Sequence, residues 1–142
     1  MVIHTASEGV TLARKLEDDS ARFYETAAQR FGQDADSFLS FAKENKKNVV
    51  QIERAYYGVI TDAIEGCYAF NLEPDDYILN ASINQGASRT DVIIQATKLE
   101  EKIIKFYAEA VEQSQALMAD VPRTFSQIAK KREGRLLKLR SL

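Results

Sequence analysis

Two acidic residues occupy equivalent places in a pattern that the sequence contains twice. The order Ala-x-Lys-Leu-Glu, five residues, Phe-Tyr, two residues, Ala runs over residues 13–27 and again over residues 96–110. Any two amphipathic helices share an apolar spacing, which accounts for the repeated Leu, Phe and Ala. It does not account for an acid at the same point of two apolar stripes. Glu17 and Glu100 are therefore candidates for a shared buried site.

A second, weaker repeat follows each copy of the first. Phe-x-x-Phe-Ala-Lys at residues 38–43 corresponds to Phe-x-x-Ile-Ala-Lys at residues 125–130. Ser37 and Thr124 precede the two copies, and both are residue types that cap helix N-termini. On its own this motif is typical of many helices. Its place after the stronger repeat indicates that the chain consists of two related helical pairs.

Four long helices are predicted to carry these motifs, because apolar residues recur at three- and four-residue spacing. The first begins at a capping box formed by Thr5 and Glu8. It ends at Gly32, a residue type that readily accepts a left-handed backbone. The third begins after Ser88 and ends near Met118.

The remaining two helices complete the pairs. The second begins at Asp34 or Asp36 and ends near Gly66. The fourth follows Pro122 and Thr124, since proline fits the first turn of a helix, where its missing N–H costs little. Short turns within each pair predict two antiparallel helical hairpins.

The segment 66–88 interrupts the helical pattern. It contains Pro74, paired aspartates, three asparagines and Gly86, with a short stretch at 77–79 that could be extended. A long connection between two helical hairpins is the arrangement of ferritin-like four-helix bundles. The predicted fold is therefore all-α, with two helical hairpins joined by a long crossover connection, in a single domain of residues 1–142.

In these motifs the sequence resembles the rubrerythrin-like branch of the ferritin-like superfamily, over nearly the whole chain. Its members carry a ligand glutamate followed six residues later by Phe-Tyr. The matching residues here are Glu17 with Phe23-Tyr24 and Glu100 with Phe106-Tyr107. The resemblance implies a ferritin-like four-helix bundle that holds two irons. One glutamate comes from each of two helices, and a Glu-x-x-His motif comes from each of the other two.

The Glu-x-x-His positions implied by the resemblance hold other residues in this chain. Counted three and six residues from the alanine of the second motif, they are Asn45 and Asn48 in the first copy. In the second copy they are Arg132 and Arg135. Residues three apart share one helix face, so these side chains are predicted to point toward the two glutamates.

Two buried carboxylates without a counter-charge are strongly unfavourable, and two guanidiniums supply that charge with paired hydrogen bonds. We therefore expect a charge-neutral cluster in place of a dimetal centre, with two amides donating to the remaining lone pairs. Its residues are Glu17, Glu100, Arg132, Arg135, Asn45 and Asn48. This interpretation predicts no catalytic residue, no metal and no cofactor. The protein is then expected to bind an unknown protein or small molecule without catalysis.

A one-residue shift of the register gives a different interpretation. It brings Glu44 and Glu133 toward the site, where they could join Glu17 and Glu100 as metal ligands. The cofactor would then be two iron ions, and the protein a non-haem diiron oxidase or peroxidase, or an iron-binding protein of the rubrerythrin type. The shift would be needed in both helices, in opposite directions.

The composition limits other possibilities. With 19 basic and 21 acidic residues, the net charge is −2, which is not that of a polycation built for nucleic acid. Cys67 and His4 each stand alone, so an intrachain disulfide and a multi-histidine metal site are excluded. No apolar run approaches the roughly 20 residues of a membrane helix, and no signal peptide is evident. We expect a cytoplasmic protein without a membrane partner.

The last predicted helix is basic. Residues 122–142 contain seven Lys or Arg and one acid, which could make it an anion-binding module. Such a helix also neutralises acidic helices beside it. No aromatic residue follows Phe125, so nucleic acid is not the expected partner. Apolar or aromatic surface at Tyr56, Tyr57 or the crossover could instead support a homodimer, which is common among relatives of this type.

Overall fold

The computed structural model of the protein describes residues 2–59, 68–115 and 120–142. Over these residues the chain is mostly helical, which confirms the predicted all-α class. The helices are α1 (Ala6–Arg30), α2 (Ala35–Val59), α3 (Arg89–Ser114) and α4 (Asp120–Ser141). Two short strands accompany them, β1 (Ile3–Thr5) and β2 (Tyr68–Leu72). None of the described helices combines the length and apolarity needed to span a membrane.

The helices share one apolar core. α1 packs along α2, α3 packs along α4, and α2 also packs against α4. β2 lies against both α1 and α3. Each helix contributes buried aromatic or aliphatic side chains, including Phe23, Phe38, Phe106 and Phe125. Because all four helices face the same interior, polar residues on their inner faces must meet there.

The start of α1 confirms the predicted capping box, and α3 begins after Ser88 as predicted, with a capping box of its own. The Thr5 hydroxyl accepts a hydrogen bond from the Glu8 N–H at 3.1 Å, and the Ser88 hydroxyl accepts one from the Asp91 N–H at 3.1 Å. The predicted left-handed end at Gly32 is wrong. Among the described residues no glycine has a positive φ, and Gly32 begins a short 3-10 helix instead.

The start of α2 lies between the two predicted positions, Asp34 and Asp36, whereas the start of α4 differs from prediction by a few residues. α2 begins at Ala35, directly after the 3-10 helix Gly32–Asp34. α4 begins at Asp120, so Pro122 lies in its first turn and Thr124 lies inside the helix rather than at its cap. The predicted helix ends near Gly66 and Met118 lie outside the described residues, as does Cys67.

The described part of the crossover contains a strand that the sequence interpretation placed wrongly. The strand is β2, which pairs antiparallel with β1, with Ile3 opposite Leu72. Tyr77, predicted to start an extended stretch, instead ends a 3-10 helix that begins at Pro74. His4 lies in β1, with its Nδ1 atom 3.3 Å from the carbonyl oxygen of Phe70. Pairing with the N-terminus therefore decides where the crossover is extended.

Side chains from the helices hold the crossover by its backbone. Arg30 donates to the carbonyl oxygens of Asn84 and Gln85 at 2.6 Å each. Gln95 donates to two further carbonyl oxygens, and Lys102 donates to that of Ile78 at 2.8 Å. These bonds satisfy carbonyl groups that lack a strand partner.

Gly9 allows the crossover to approach α1 closely. A Cβ atom at this position would lie 2.3 Å from the ring of Phe70. A side chain larger than hydrogen would therefore displace the ring, and with it the strand β2. The close contact explains why glycine is accepted within α1 despite its low helix propensity.

Candidate functional site

Six polar residues from the four helices meet in the core. They are completely buried apart from Arg135, which is 3% exposed. α1 supplies a glutamate, α2 two amides, α3 a glutamate and α4 two arginines. We call this set the core cluster: Glu17, Asn45, Asn48, Glu100, Arg132 and Arg135. The two glutamates of the repeat and the four positions implied by the resemblance are thus brought together, since a rigid helix presents residues three apart on one face.

Arg132 lies between the two glutamates. Its Nε and Nη2 atoms donate to Oε2 of Glu17 at 3.1 and 2.8 Å. Its Nη1 atom donates to both carboxylate oxygens of Glu100, at 2.5 Å to Oε1. Nη2 also donates to Oδ1 of Asn45 at 3.1 Å. Every nitrogen of the guanidinium therefore has a partner, and one cation neutralises charge on two helices.

Arg135 binds at the edge of the same cluster. Its Nη1 atom donates to Oδ1 of Asn45 at 2.8 Å and lies 3.3 Å from Oε1 of Glu100. Its Nη2 atom donates to Oε1 of Glu44 at 2.5 Å. The guanidinium also lies 4.9 Å from the ring centre of Phe41 and 5.5 Å from that of Tyr24. Arg135 thus neutralises Glu100 and Glu44 together.

Neutral donors complete the shell of Glu17. Asn48 donates to Oε1 at 2.9 Å, and the Tyr107 hydroxyl donates to Oε2 at 2.8 Å. Asn45 turns its amide nitrogen to the Ser20 hydroxyl at 2.9 Å. The sequence interpretation missed the role of Tyr107 and Ser20 here. The repeated Phe-Tyr pair was a signal for the tyrosine, whereas nothing in the pattern singled out the serine.

The surroundings fix the charge states of the cluster. Burial by itself lowers the pKa of Arg132, but the carboxylates of Glu100 and Glu17 outweigh it, so the pKa is raised above the ordinary value. Burial first, and then the charge of Glu17, raises the pKa of Tyr107 well above 10.0. Burial and the charge of Glu100 raise the pKa of Tyr24 in the same way. Arg132 therefore stays charged and both tyrosines stay neutral near neutral pH.

The donor set suits cation–carboxylate pairing better than metal binding. The oxygens of Glu17 accept from Asn48, Tyr107 and Arg132, and those of Glu100 accept from the two arginines. A metal would have to displace these donors next to two fixed positive charges. Within residues 2–59, 68–115 and 120–142, no group of three or more His, Cys, Asp or Glu could hold a metal ion. Two irons do not fit these side chains as they stand.

The alternative register places its acids elsewhere. The side chain of Glu44 is 38% exposed and binds Arg135, not Glu17. Glu133 is exposed on α4. Neither acid joins the two buried glutamates in a shared ligand set, because each lies one position away from the inward face of its helix.

Tyr56 and Tyr57, which the sequence analysis considered as dimer surface, lie outside the core cluster. Tyr56 is buried, and its hydroxyl has no hydrogen-bond partner in the described part of the chain. Tyr57 is 62% exposed, and its ring centre lies 5.4 Å from that of Tyr56. The pair therefore spans from the core to the surface of α2.

Comparisons with models of known protein families, with curated proteins and with solved structures found no match to this chain. What can be inferred about function therefore comes from the core cluster, the four helices and their surfaces.

Proposed function

We propose that this protein is a ferritin-like four-helix bundle of the rubrerythrin type, in which an arginine–carboxylate cluster replaces the dimetal centre. It acts in the cytoplasm as a non-catalytic binding or interaction protein, as a homodimer. The observation that carries the proposal is Arg132, fully buried and hydrogen-bonded to both Glu17 and Glu100. Its guanidinium lies between the two carboxylates that the resemblance implies as metal ligands.

Three features support the ferritin-like assignment. The chain contains two helical pairs connected by a long segment, and each pair carries the same two motifs. The positions that would supply metal ligands in a rubrerythrin-like protein converge on one point in the core. Independent helices with unrelated polar residues would have no reason to place all six positions together.

The chemistry of the cluster supports a non-catalytic role. A general acid or base needs a lone pair or proton that can reach substrate. Both carboxylates are completely buried, and their oxygens already accept hydrogen bonds from arginine, amide or tyrosine. The cluster therefore orders the interior and leaves the helix surfaces to interact with other molecules.

Metal analysis tests the proposal directly. The untagged protein is expressed in medium supplemented with iron and manganese, and its metal content is measured by mass spectrometry. We expect less than about a tenth of a metal per chain, against the two metals of an intact site. Near two metals per chain would overturn the proposal and assign Glu17 and Glu100 as ligands of a diiron enzyme.

A restored ligand set tests the positions themselves. The quadruple variant Asn45→Glu, Asn48→His, Arg132→Glu, Arg135→His introduces two Glu-x-x-His motifs and should gain iron. The matched control changes Asn45→Glu and Asn48→His alone, so both arginines remain and no iron is expected. A quadruple variant that keeps its helical circular dichroism and binds no more iron than the control would show that these are not the former ligand positions.

A further inference from the structure

The outer face of α2 exposes an unusual row of large apolar residues. Leu39, Val50 and Tyr57 are 50%, 45% and 62% exposed. At 100° per residue, the three positions fall within about 20° of one another around the helix. The row extends over about 27 Å, from 1.5 Å of rise per residue. Isolated exposed apolar residues are common, but these three share one line along α2, with the exposed Lys43 and Lys46 on either side of that line between Leu39 and Val50.

A row of cations runs beside this apolar row. Lys43, Lys47 and Arg54 are all exposed and fall within about 40° of one another on α2. None of them forms an ion pair with another described residue. Lys46, on the other side of the apolar row, is instead paired with Glu25 of α1 at 3.4 Å. The available positive charge therefore borders only one side of the apolar row.

α4 continues the positive surface on that side. Lys131 lies next to α2, with its Nζ atom 3.3 Å from Oε1 of Gln51. Lys138 is exposed on the same helix, as is Arg123, which is paired with Asp120 at 3.7 Å. Glu44, which lies in this region of α2, binds Arg135, whose guanidinium also lies 3.3 Å from Glu100. Across the surface, the order from α1 toward α4 is thus apolar row, cation row and then cations of α4, with the exposed acid Asp36 at the N-terminal end of the cation row.

We infer that this surface, Leu39 to Tyr57 of α2 with the flanking cations, binds an acidic amphipathic helix of a partner protein. Leucine-type residues of such a helix would cover the apolar row, and its acids would face the cation row and α4. The inference rests on the proposed binding role, but it does not involve the core cluster.

Two other occupants fit the same surface less well. In an antiparallel pairing of two copies through α2, with the two-fold axis perpendicular to the helix, the cation row would lie against itself, and like charges would oppose the contact. A nucleic acid would use the cations but would leave Leu39 and Val50 in water. An acidic amphipathic helix is complementary to both rows at once.

A library of displayed peptides can identify the charge that this surface prefers before any natural partner is isolated. Helices of about 21 residues carry leucines at fixed helical spacing, and the flanking positions vary among Glu, Lys and Gln. We expect selection on the wild-type protein to enrich Glu on one flank. The enriched peptide is then labelled, and its binding is measured by fluorescence anisotropy.

Variants assign the binding to the surface. Lys43→Glu with Lys47→Glu should weaken the selected peptide at least about tenfold, and Leu39→Ser with Val50→Ser should do the same. Lys98→Glu with Lys105→Glu on α3 makes the same change in charge elsewhere and should alter binding less than about twofold. Circular dichroism checks that each variant stays folded.

Four results would overturn the inference. The first is selection that enriches Lys on the flanks, or no charge preference at all. The second is an equal loss of binding in the α2 variants and in the α3 control. The third is binding of a scrambled Glu-rich peptide or of an oligonucleotide as tight as that of the selected helix. The fourth is a dimer, seen by sedimentation, that Leu39→Ser with Val50→Ser converts to monomer. Metal binding by the wild-type protein would overturn the core proposal without changing any of these measurements.

Discussion

The two helical pairs contribute opposite net charges to the same cluster. The α1/α2 pair provides Glu17 with two neutral amides, a formal charge of −1. The α3/α4 pair provides Glu100 with Arg132 and Arg135, a formal charge of +1. Neutrality is therefore reached between the pairs rather than within each of them. Arg132 connects the pairs, because it binds one carboxylate from each.

The same asymmetry appears at the two repeated tyrosines. Tyr107 donates to Glu17 across the interior at 2.8 Å. The hydroxyl of Tyr24, at the equivalent position in the first pair, has no hydrogen-bond partner among the described residues. Its ring instead lies beside the Arg135 guanidinium. Identical local motifs thus perform different tasks, because the helix opposite each of them differs.

Removal of Arg132, which connects the two helical pairs, should lower the free energy of unfolding more than any other single change. Arg132→Met leaves two buried carboxylates to share one remaining cation at the cluster edge. We expect a loss of about 3–5 kcal/mol in the free energy of unfolding, the usual cost of breaking a buried ion pair. Urea unfolding followed by circular dichroism measures it.

Arg135→Met is the matched control on the same helix. Glu100 keeps both contacts to Arg132, and Glu44 is 38% exposed and can be hydrated. Asn45 Oδ1 also keeps its bond from Arg132. We therefore expect a smaller loss of about 1–3 kcal/mol, from the lost hydrogen bond to Asn45 and the lost contact with Glu100. Equal losses in the two variants would contradict the bridging role of Arg132.

Neutralising the carboxylates should rescue the first variant. In the triple variant Glu17→Gln, Glu100→Gln, Arg132→Met, the amide oxygen at position 17 can still accept a hydrogen bond from Tyr107 or Asn48. No buried carboxylate remains, and Arg135 keeps its ion pair with Glu44. Because an unpaired charge is worse than no charge, we expect the triple variant to exceed Arg132→Met in stability by about 2 kcal/mol or more. The same urea experiment applies. A triple variant that is less stable than Arg132→Met would mean that Arg132 acts through packing rather than charge.

The tyrosine pair gives a smaller and sharper test. Tyr107→Phe removes a hydrogen bond to a buried carboxylate and should cost about 1.5–3 kcal/mol. Tyr24→Phe removes a hydroxyl that has no described partner, so we expect it to be neutral within about 0.5 kcal/mol or slightly stabilising. Thermal unfolding of the two variants measures the difference. Equal destabilisation would show that the two pairs are more alike than their contacts indicate.

Alkaline pH tests the same tyrosines without mutation. The pKa values of Tyr24 and Tyr107 are raised above 10.0 in the folded chain, chiefly by burial. The folded state then binds more protons than the unfolded state above that pH, so its stability falls as the pH rises past about 10. Tyrosinate absorbance near pH 11 should therefore be incomplete in the folded protein and complete in urea. Full titration without unfolding would contradict the burial of these hydroxyls.

The core cluster was predictable because its residues break the pattern that surrounds them. An acid or an arginine within an apolar stripe needs a partner, and spacing by three determines which residues share the face. The repeated motif identified Glu17 and Glu100 in this way, and the spacing of Thr5 and Glu8 identified the capping box of α1. The other four positions of the cluster came from the resemblance, which implies where the Glu-x-x-His ligands would lie.

The remaining features depend on contacts between distant segments. β2 forms where it can pair with the N-terminal strand and where Gly9 admits the ring of Phe70, and neither condition is visible within residues 68–72. In the same way, nothing in the two Phe-Tyr pairs distinguishes Tyr107 from Tyr24. Local sequence determines which side of a helix faces inward, whereas the opposite helix determines which donor meets which acceptor.

The two capping boxes lie at equivalent positions of the two pairs and give small effects of similar size. Thr5→Ala and Ser88→Ala should each lower the free energy of unfolding by about 1 kcal/mol, as measured by thermal unfolding.

Capping hydrogen bonds lower the pKa of Glu8 from 4.5 and that of Asp91 from 3.8. The two ionised acids therefore contribute their full stabilisation above their ordinary pKa values. This stabilisation is lost as the pH falls through the lowered pKa values of the folded protein. In Glu8→Gln with Asp91→Asn, this acid-dependent loss should disappear, so the stability difference from wild type should narrow below about pH 4. A difference that stays constant with pH would mean that the two acids contribute no charge-dependent capping.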